Sequence, residues 1–562
     1  GGDPSLQYLQ NLFASGRLDQ VLLLPHGIWS FIQYPSSIVG LKGILLSYAL
    51  AFLIKLSLLL KLYYSVRGET FSWLTLLSVA FFGFWLNFNS SVLILGLLLF
   101  LFPPRKTAIP YLGLLASFAF AIRLFPAIPL FALWFFHLVF SNNARVALAE
   151  LFSIVVLTLT WLGLSIGFLA LPNYLISQFY LLGGNAALAT YPNNWEFGLA
   201  LAWILFLIYL FFFVKTSSKL KLGILTLVFL CFKYAITRQG IPHIHPLILC
   251  LLVLFVFFKN NSSKHSLILP TLSFILFWFS FHYSNKYILP PLNFAFIPQE
   301  EIRPRVGLSD YKLSNTTVAA IAQEKVDSYP WDFNYQHFNS LRVQPKPIPQ
   351  IQIASNHLLD SINCSFLNTE KAAPWIIWHN AALGSRNKSK FMELDRHYLL
   401  NISPLTTDAL MRLYEPLSVD EDGTTVLKKK STHVNVDLDK AKKIIPLRLN
   451  WNEKIPIPAL DQKGYSRLKF NIKSKAIENL KAAIWKPDPL YITYFFNETD
   501  SARFRLNQQQ TLDGIWLTPF VVHPTKKGRK VEYIRISCPN LNAFYPLAIG
   551  EIVPFYSRWE FI

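Results

Sequence analysis

Acidic side chains are scarce in the first half of this chain of 562 residues. Up to residue 282 there are five Asp and Glu against sixteen Lys and Arg, which leaves few carboxylates for coupling ions to transport. Cysteine is rarer still, and the four that occur show no metal-binding spacing: Cys231, Cys250, Cys364 and Cys538. A disulfide between Cys364 and Cys538 stays an open alternative. These absences disfavour an ion-coupled transporter and a cysteine-based metal site.

Basic clusters interleaved with aromatic residues are also lacking, although the formal net charge is +20. This disfavours a nucleic-acid partner. From residue 283 on, thirty-six Lys and Arg stand against twenty-seven Asp and Glu, so both halves of the chain are basic. We expect the partners of this charge to be membrane lipids with anionic headgroups, or a phosphate-bearing lipid. There is no internal repeat, no low-complexity tract and no signal peptide at the start.

Long apolar runs fill residues 38–282 and alternate with short polar breaks. Each run is near the length needed to cross about 30 Å of hydrocarbon, although some runs are short or broken. They lie at residues 38–60, 70–86, 91–102, 108–122, 127–140, 146–170, 198–214, 222–236, 246–258 and 266–282. The pattern predicts a polytopic α-helical membrane domain with about ten helices.

Lys and Arg fall on every second break, and this asymmetry predicts the topology. One set of breaks carries ten cations: Lys61, Arg67, Arg105, Lys106, Arg145, Lys215, Lys219, Lys221, Lys259 and Lys264. The other set carries three, which are Arg17, Arg123 and Arg238. Because cytoplasmic loops are enriched in Lys and Arg, the first set is predicted to be cytoplasmic. The loop 171–197, the turn 237–245 and everything after residue 283 then face outward.

This topology, together with the change in sequence pattern near residue 446, divides the chain into four parts. Residues 1–37 form a first extracytoplasmic loop, and one more helix is expected before residue 1 because the loop begins on the outer side. Residues 38–282 form the transmembrane domain. Residues 283–445 mix helical stretches such as 356–367 with short strands such as 375–378, which indicates an extracytoplasmic α/β or α+β domain.

The last part, residues 446–562, has a different texture. Short alternating segments are separated by Asn, Gly, Pro and Lys turns, and this spacing predicts an extracytoplasmic antiparallel β-sandwich. The predicted strands are 468–472, 490–496, 502–506, 515–522 and 531–537.

Carboxylates beside the membrane are the first candidates for chemistry. Asp3, Asp19 and Glu196 are the acids of the first half that face outward. A carboxylate at the lip of a membrane cavity can accept a proton from an acceptor hydroxyl, or bind a divalent metal such as Mg²⁺ or Mn²⁺ that neutralises a phosphate leaving group. Asp3 and Asp19 are therefore candidate catalytic residues, and Asp3 a candidate metal ligand. The alternative for Asp3 is an N-cap, since Asp followed by Pro4 and Ser5 is a good helix start.

Cations in the string FKYAITRQGIPHIHP are the second candidates, together with one isolated arginine. Placing Arg238 deep in a bilayer costs up to about 3 kcal/mol, so an anionic partner is expected. The guanidinium fork fits a phosphate, Lys233 stands nearby, and His243 and His245 can add single donors. Snorkelling of Arg238 to headgroups, with the histidines capping a turn, is the alternative. Arg123, in an apolar stretch with no neighbouring acid, either joins the phosphate site or caps a helix.

Several strings resemble a family of bacterial polytopic membrane proteins that is grouped by shape with the GT-C glycosyltransferases. DPSLQY at Asp3–Tyr8 and GRLDQVLLLPHGIWSFIQYP at Gly16–Pro35 are similar to the first outer loop of that family. FKYAITRQGIPH at Phe232–His243 is similar to a later outer turn. VDSYPWD at Val326–Asp332 and PKPIPQIQIAS at Pro345–Ser355 look like its outer-domain sequences.

The resemblance implies a GT-C fold in which the first outer loop supplies a catalytic Asp, carried here by Asp3. The sugar donor is then a polyprenyl-linked phosphate, held by the Arg and His of the later turn. Two places depart from the family: Leu6 replaces an aromatic residue, and Gly240 and Ile241 stand where the family has an Asp. Phosphate binding by Arg238 survives these changes better than an acid or base role in that turn does.

We therefore expect a membrane glycosyltransferase of the bacterial cytoplasmic membrane. It would move a sugar or oligosaccharide from a polyprenyl-phosphate-linked donor to an extracytoplasmic protein or envelope glycan. A rival from another class is a non-catalytic scaffold subunit of an envelope or secretion complex. The two hypotheses differ in whether Asp3, Arg123 and Arg238 converge on one outward cavity.

Overall fold

A helical region followed by a β-rich region makes up the part of the chain that the structure describes. The computed structural model covers residues 4–15, 18, 22–23, 39–66, 88–102, 111–122, 124–140, 144–187, 194–213, 215–238, 247, 250–251, 254, 311–379, 392–419, 424–430, 444–458, 465–518, 520, 528–547 and 549–555. The coarse part of the predicted fold class is confirmed: apolar helices come first, and a β-rich region follows them.

The helical region follows the apolar runs, whose uninterrupted apolar residues suit helices buried on all sides or facing lipid. Its helices are α1 (Pro4–Ala14), α2 (Gly40–Val66), α3 (Phe88–Leu101), α4 (Tyr111–Ile122), α5 (Leu124–Phe140), α6 (Ala144–Ile166), α7 (Leu171–Ala187), α8 (Asn194–Ile208) and α9 (Ser218–Arg238). A short π-helical turn, Tyr209–Phe213, continues α8. Helices α2 to α6, α8 and α9 are called the bundle below.

Three described helices are long and apolar enough to cross a membrane, over Gly40–Lys61, Ala144–Ile166 and Ser218–Thr237. This is fewer than the ten crossings expected from the sequence. Four shorter apolar helices accompany them: Ser91–Leu101, Tyr111–Ile122, Phe125–Phe140 and Leu201–Phe212. At about 1.5 Å per residue, a helix of 10 to 17 residues falls short of about 30 Å of hydrocarbon. The predicted runs 70–86 and 266–282, and most of 246–258, lie outside the described residues.

The surface of the bundle is strongly apolar. Leu41, Leu164 and Phe212 have 71%, 74% and 80% of their surface exposed. Exposed apolar side chains on this scale are rare on proteins in water and are typical of a surface that meets lipid or another protein. The bundle therefore has the surface expected of a membrane protein.

The predicted loop 171–197 is wrong in one respect, because α7 occupies residues 171–187 of it. Polar residues such as Asn173 and Gln178 interrupt its apolar pattern, so the segment does not read as a spanning run. Gly167 has φ +85°, a left-handed conformation that glycine adopts without strain, and it makes the turn from α6 into α7.

The first part of the β-rich region is built on a five-stranded mixed sheet. Its strands are β1 (Lys325–Tyr329), β2 (Arg342–Val343), β3 (Trp375–Trp378), β6 (Tyr414–Val419) and β7 (Thr425–Lys429), in the order β2-β1-β3-β7-β6. Strand β1 is parallel to β2 and β3, whereas β7 is antiparallel to β3 and β6 is antiparallel to β7. The accompanying helices are α10 (Asn315–Ile321), α11 (Asn334–Phe338), α12 (His357–Leu367) and α13 (Pro404–Leu413).

Two further sheets share one buried apolar cluster. The first has strand order β13-β10-β15-β8 and the second β4-β5-β12-β11-β14-β9. Their strands are β4 (Glu393–Leu394), β5 (His397–Tyr398), β8 (Ile445–Arg448), β9 (Ile455–Pro456), β10 (Tyr465–Lys469), β11 (Leu490–Phe495), β12 (Ser501–Leu506), β13 (Ile515–Thr518), β14 (Tyr533–Ser537) and β15 (Ile549–Phe555). Leu468 and Ile552 of the first sheet lie in the same cluster as Ile492 and Phe504 of the second.

One helix, α14 (Ala476–Ile484), interrupts these strands. Two strands of the second sheet, β4 and β5, come from before residue 445, and β5 pairs with β12 in parallel. The division of the outer region at residues 445 and 446 stays a prediction. Cys364 and Cys538, for which a disulfide was left open, are free in this structure.

Candidate functional site

The predicted site residues lie at the edges of what the structure describes. Arg238 is the last residue of α9, and only its main chain is described. The other five predicted site residues lie outside the described residues: Asp3, Asp19, Arg123, His243 and His245. The elements that flank Asp3, Arg123 and Arg238 in the sequence are described, and these show which parts of the chain meet.

The turn that holds Arg123 and the end of α9 lie side by side. Phe125, two residues after Arg123, stacks on Tyr234 of α9 with ring centroids 3.3 Å apart and planes 14° from parallel. Tyr234 is about one helical turn before Arg238. The start of α5 and the last turn of α9 are therefore at the same end of the bundle.

Helix α1 packs at that same end of the bundle. Phe13 of α1 and Phe120 of α4 both pack against one apolar cluster, which contains Leu162 and Tyr174. Phe120 is two residues before the end of α4, beside the turn that holds Arg123. Asp3 precedes α1 in the sequence, and the last turn of α1 lies at the same end of the bundle as the end of α4 and the end of α9.

The start of α1 bears on the alternative for Asp3. The helix begins at Pro4, the position after Asp3, where proline suits the first turn. This is the helix start that the N-cap interpretation requires. A capping carboxylate and a reactive carboxylate occupy the same position, so the main chain is compatible with both.

Residues 344–356, called the strap below, lie between this end of the bundle and the β-rich region. The Leu23 main-chain N–H donates to Pro347 O at 2.8 Å, which ties the first segment to the strap. Ile348 and Ile353 are buried in the cluster with Leu162 of α6. The strap contains the whole string PKPIPQIQIAS, so this string forms a contact between the two regions.

Two asparagines hold the strap in place. Asn363 of α12 accepts from the Ile348 N–H at 2.9 Å and donates to Ile348 O at 2.9 Å. Asn356 caps α12 by accepting from the Leu359 N–H, and its amide donates to Tyr180 O of α7 at 3.1 Å. The capping residue of an outer helix is thus bonded to the main chain of a helix that borders the bundle.

A buried ion pair joins the strap to β1, an interior strand of the five-stranded sheet. Lys346 Nζ lies 3.4 Å from Asp327 Oδ2 and donates to Ser328 O at 2.6 Å, and both charged side chains are about 1–2% exposed. Burial raises the pKa of Asp327 and lowers that of Lys346, and their proximity opposes both shifts. Asp327 belongs to VDSYPWD, so the pair connects two of the strings that resemble the family.

Lys233 lies near the predicted phosphate-binding residues in the sequence, but in the structure it contacts α14 (Ala476–Ile484). Its ammonium group donates to Ala482 O and Trp485 O at the C-terminal end of α14. Trp485 packs on Phe232 with ring centroids 5.7 Å apart, and Phe232 stacks on Trp203 of α8 at the same distance. Lys233 thus holds α14 to the bundle, as a cation at a helix C-terminus should.

The sequence gives little warning of this contact, because the partners are about 250 residues apart. A lysine within an apolar run was the available signal, since such a cation requires a partner. Among the described residues, no group of three His, Cys, Asp or Glu side chains is placed to hold a metal ion.

The end of the bundle with these contacts is opposite to the end that holds the described cations predicted to be cytoplasmic. Lys61 donates to Phe102 O, Lys221 donates to Phe211 O, and Lys219 lies over the ring of Phe140. Phe140 ends α5, about 22 Å along the helix from Phe125. The bundle therefore has a cation-rich end and a second end, beneath the strap. At the second end lie the last turn of α1, the end of α4, the start of α5 and the end of α9.

Comparison with known proteins found no match of any kind: no family model, no curated protein and no solved structure is similar enough to this chain to be counted.

Proposed function

We propose that this chain is a membrane glycosyltransferase of GT-C-like fold in the bacterial cytoplasmic membrane. It moves a sugar or oligosaccharide from a polyprenyl-phosphate-linked donor to an extracytoplasmic protein or envelope glycan. One observation supports this most: the last turn of α1, the end of α4, the start of α5 and the end of α9 lie at the same end of the bundle, beneath the strap. That is where a carboxylate and cations need to gather for this chemistry.

In the proposed reaction Asp3 takes the proton of the acceptor hydroxyl as the oxygen attacks the anomeric carbon. The bond from that carbon to the phosphate oxygen breaks, and the polyprenyl phosphate leaves with the electron pair. Asp19 is the second candidate for the base. A divalent ion held by Asp3 would instead neutralise the leaving phosphate.

The cations have the complementary role. Arg238 binds two phosphate oxygens through its fork, and Arg123, His243 and His245 add donors. The exposed apolar surface of the bundle accommodates the polyprenyl chain, which is as apolar as the lipid around it. The β-rich region then provides a surface on which the acceptor docks.

The test of the enzyme is Asp3→Asn in a transfer assay with purified protein and polyprenyl-phosphate-linked sugars. This change keeps the size and part of any N-cap but removes the base, which typically contributes about 10²- to 10⁴-fold. We expect transfer to fall by that factor while the melting temperature stays near that of the wild type. Asp19→Asn is the matched control, with a smaller expected loss. Full transfer by both variants would overturn the role of these carboxylates.

Binding of the donor phosphate is tested separately at Arg238. Arg238→Lys keeps the charge but loses the two-pronged geometry, so donor binding should weaken, and Arg238→Ala should weaken it further. Unchanged binding in both variants would mean that Arg238 only anchors α9 at the interface.

A non-catalytic scaffold is the second candidate. It is favoured by the start of α1 at Pro4, which gives Asp3 a structural position as a cap, and by the burial of Leu9, Leu12 and Phe333 in one cluster between α1 and the β-rich region. A wild-type protein that transfers no sugar from any polyprenyl donor, although the cell requires it, would support the scaffold over the enzyme.

A further inference from the structure

Helix α14 carries an apolar stripe on its exposed side. Ile477, Leu480 and Ile484 are 67%, 56% and 49% exposed, and their spacing of three and four residues puts them on one face. The opposite face is packed: Glu478 is buried, and its carboxylate accepts from the Asp488 N–H. Exposed apolar residues in a row at helical spacing are unusual on a surface in water.

The position of this helix is held at both ends. At its start, the Lys475 N–H donates to Ala543 O at 2.9 Å. At its end, Ala482 O and Trp485 O accept from Lys233 of α9, and Trp485 packs against the apolar core of the bundle. The stripe therefore cannot turn inward, and its exposure is a property of the fold.

The depth of α14 follows from the contact with α9. Lys233 is five residues before the end of a helix long and apolar enough to cross a membrane, or about 7–8 Å along the axis. An interfacial helix buries its apolar face about 5–10 Å into the boundary between headgroups and acyl chains. Tryptophan is enriched at the same level, and Trp485 stands there. The end of α14 thus lies at the depth where lipid headgroups begin.

The charges around the stripe fit anionic lipid. Lys473 is exposed just before the helix, and Lys475 lies 5.9 Å over the ring of Tyr545. Lys481, on the helix itself, pairs with Asp488 and Glu478 instead. Leu541 and Tyr545 extend the apolar surface beside Lys475, with exposures of 46% and 50%. An apolar face bordered by lysines is the composition of helices that lie in the membrane interface.

We propose that α14 lies in the outer headgroup layer of the membrane, with Ile477, Leu480 and Ile484 inserted among the acyl chains and Lys473 and Lys475 at anionic headgroups. The β-rich region is then held on the bilayer at a second place besides the strap. This arrangement sets the height of the β-rich region above the end of α9. It applies equally to an enzyme and to a scaffold.

A depth measurement tests the proposal on the full chain in nanodiscs of phosphatidylcholine and phosphatidylglycerol. Single cysteines at Leu480, Asn479 and Glu498 are labelled with an environment-sensitive fluorophore, in a variant without native cysteines. Nitroxides on the acyl chains then quench the probes that reach the lipid. Asn479 is the matched control, about 100° around the same helix from Leu480, and Glu498 is the aqueous reference at the β11–β12 turn.

We expect the Leu480→Cys probe to emit at shorter wavelength and to be quenched several-fold more than the Asn479→Cys probe, with Glu498→Cys unquenched. A Leu480→Cys probe as exposed to water as the one at Glu498 would overturn the proposal. A probe that is shielded but not quenched would also overturn it, since another protein surface such as a second copy would then cover the stripe.

The contribution of the anionic headgroups is tested separately. Lys473→Glu should reduce quenching of the Leu480→Cys probe in discs that contain phosphatidylglycerol and leave it unchanged in pure phosphatidylcholine. Equal quenching with and without the substitution in both kinds of disc would remove the anionic headgroups from the proposal.

Discussion

The bundle and the β-rich region use charged side chains in different ways. In the bundle, Lys61, Lys221 and Lys233 donate to main-chain carbonyls at helix ends. Glu150 accepts from the Leu112 and Gly113 N–H groups at the start of α4, at 3.3 and 2.6 Å. In the β-rich region, Lys346 instead pairs with a buried carboxylate.

The surroundings of each region explain the difference. Helix ends leave main-chain groups without partners, and a region in contact with lipid has no water to satisfy them, so charged side chains supply the missing bonds. Sheets pair their own main chain, which leaves charges in the core to pair with one another. Asp360 is an exception within the β-rich region. Its buried carboxylate accepts from the main-chain N–H groups of Leu405 and Thr406 at the start of α13, and from the Thr406 hydroxyl.

The largest effect is expected from breaking the Asp327–Lys346 pair. Lys346→Met leaves the carboxylate buried without its cation, and such a loss typically costs about 3–5 kcal/mol. The control is Arg412→Met, which breaks an ion pair whose arginine is 27% exposed and should cost below about 1 kcal/mol. Chemical unfolding followed by tryptophan fluorescence measures both.

A paired substitution sharpens this result. Asp327→Asn with Lys346→Met removes both charges, so much of the lost free energy of unfolding should return. Equal losses for Lys346→Met and Arg412→Met would show that the buried pair is no more important than a surface one.

A pH effect of about 2 kcal/mol is expected from His397, which is buried in the β-rich region. Burial and the nearby Arg505 lower its pKa to about 3, so the folded protein holds the ring neutral. The unfolded chain binds a proton below pH about 6.5, hence stability falls as the pH drops from there toward 3, by about 2 kcal/mol at pH 5.

A second group acts in the opposite direction and calls for a control. Burial raises the pKa of Asp360 to about 7, although three donors favour its ionised form, so this group adds stability as the pH falls from about 7 to 4. The difference between the wild type and His397→Gln isolates the histidine. If that difference does not change between pH 7 and 5, the buried neutral ring is not what limits stability in acid.

A smaller effect is expected where the two regions join. Lys233→Met keeps the length of the side chain but removes its donors, which should cost about 1 kcal/mol of docking free energy. Amide hydrogen exchange in α14 should become faster while the rest of the β-rich region is unchanged. Lys219→Met, at the other end of α9, is the control. Protection of α14 that survives Lys233→Met would mean that Trp485 alone holds the contact.

Local patterns predicted part of the described elements. The predicted strands 490–496 and 502–506 correspond to β11 and β12, and the predicted helix 356–367 to α12. Alternation and capping residues act within a few positions, so a sequence carries them directly. The predicted strand 515–522 is longer than β13, which ends at Thr518.

Long-range contacts were not predictable in the same way. The Asp327–Lys346 pair, the Lys233 contact with α14 and the pairing of β5 with β12 each depend on folding that brings distant segments together. For the site, the sequence predicted residue types, and the structure adds that their flanking elements meet. The side chains of the predicted site residues lie outside the described part, so their convergence stays a prediction.

The proposed function requires that the end of the bundle beneath the strap faces outward and that the cation-rich end faces the cytoplasm. Single cysteines at Asn194 and Ser218, in a variant without native cysteines, test this with an impermeant thiol reagent on intact spheroplasts. The alternation of Lys and Arg predicts that Asn194→Cys reacts and Ser218→Cys does not until the membrane is opened. Reaction at Ser218→Cys with protection at Asn194→Cys would contradict the topology and, with it, the outward site.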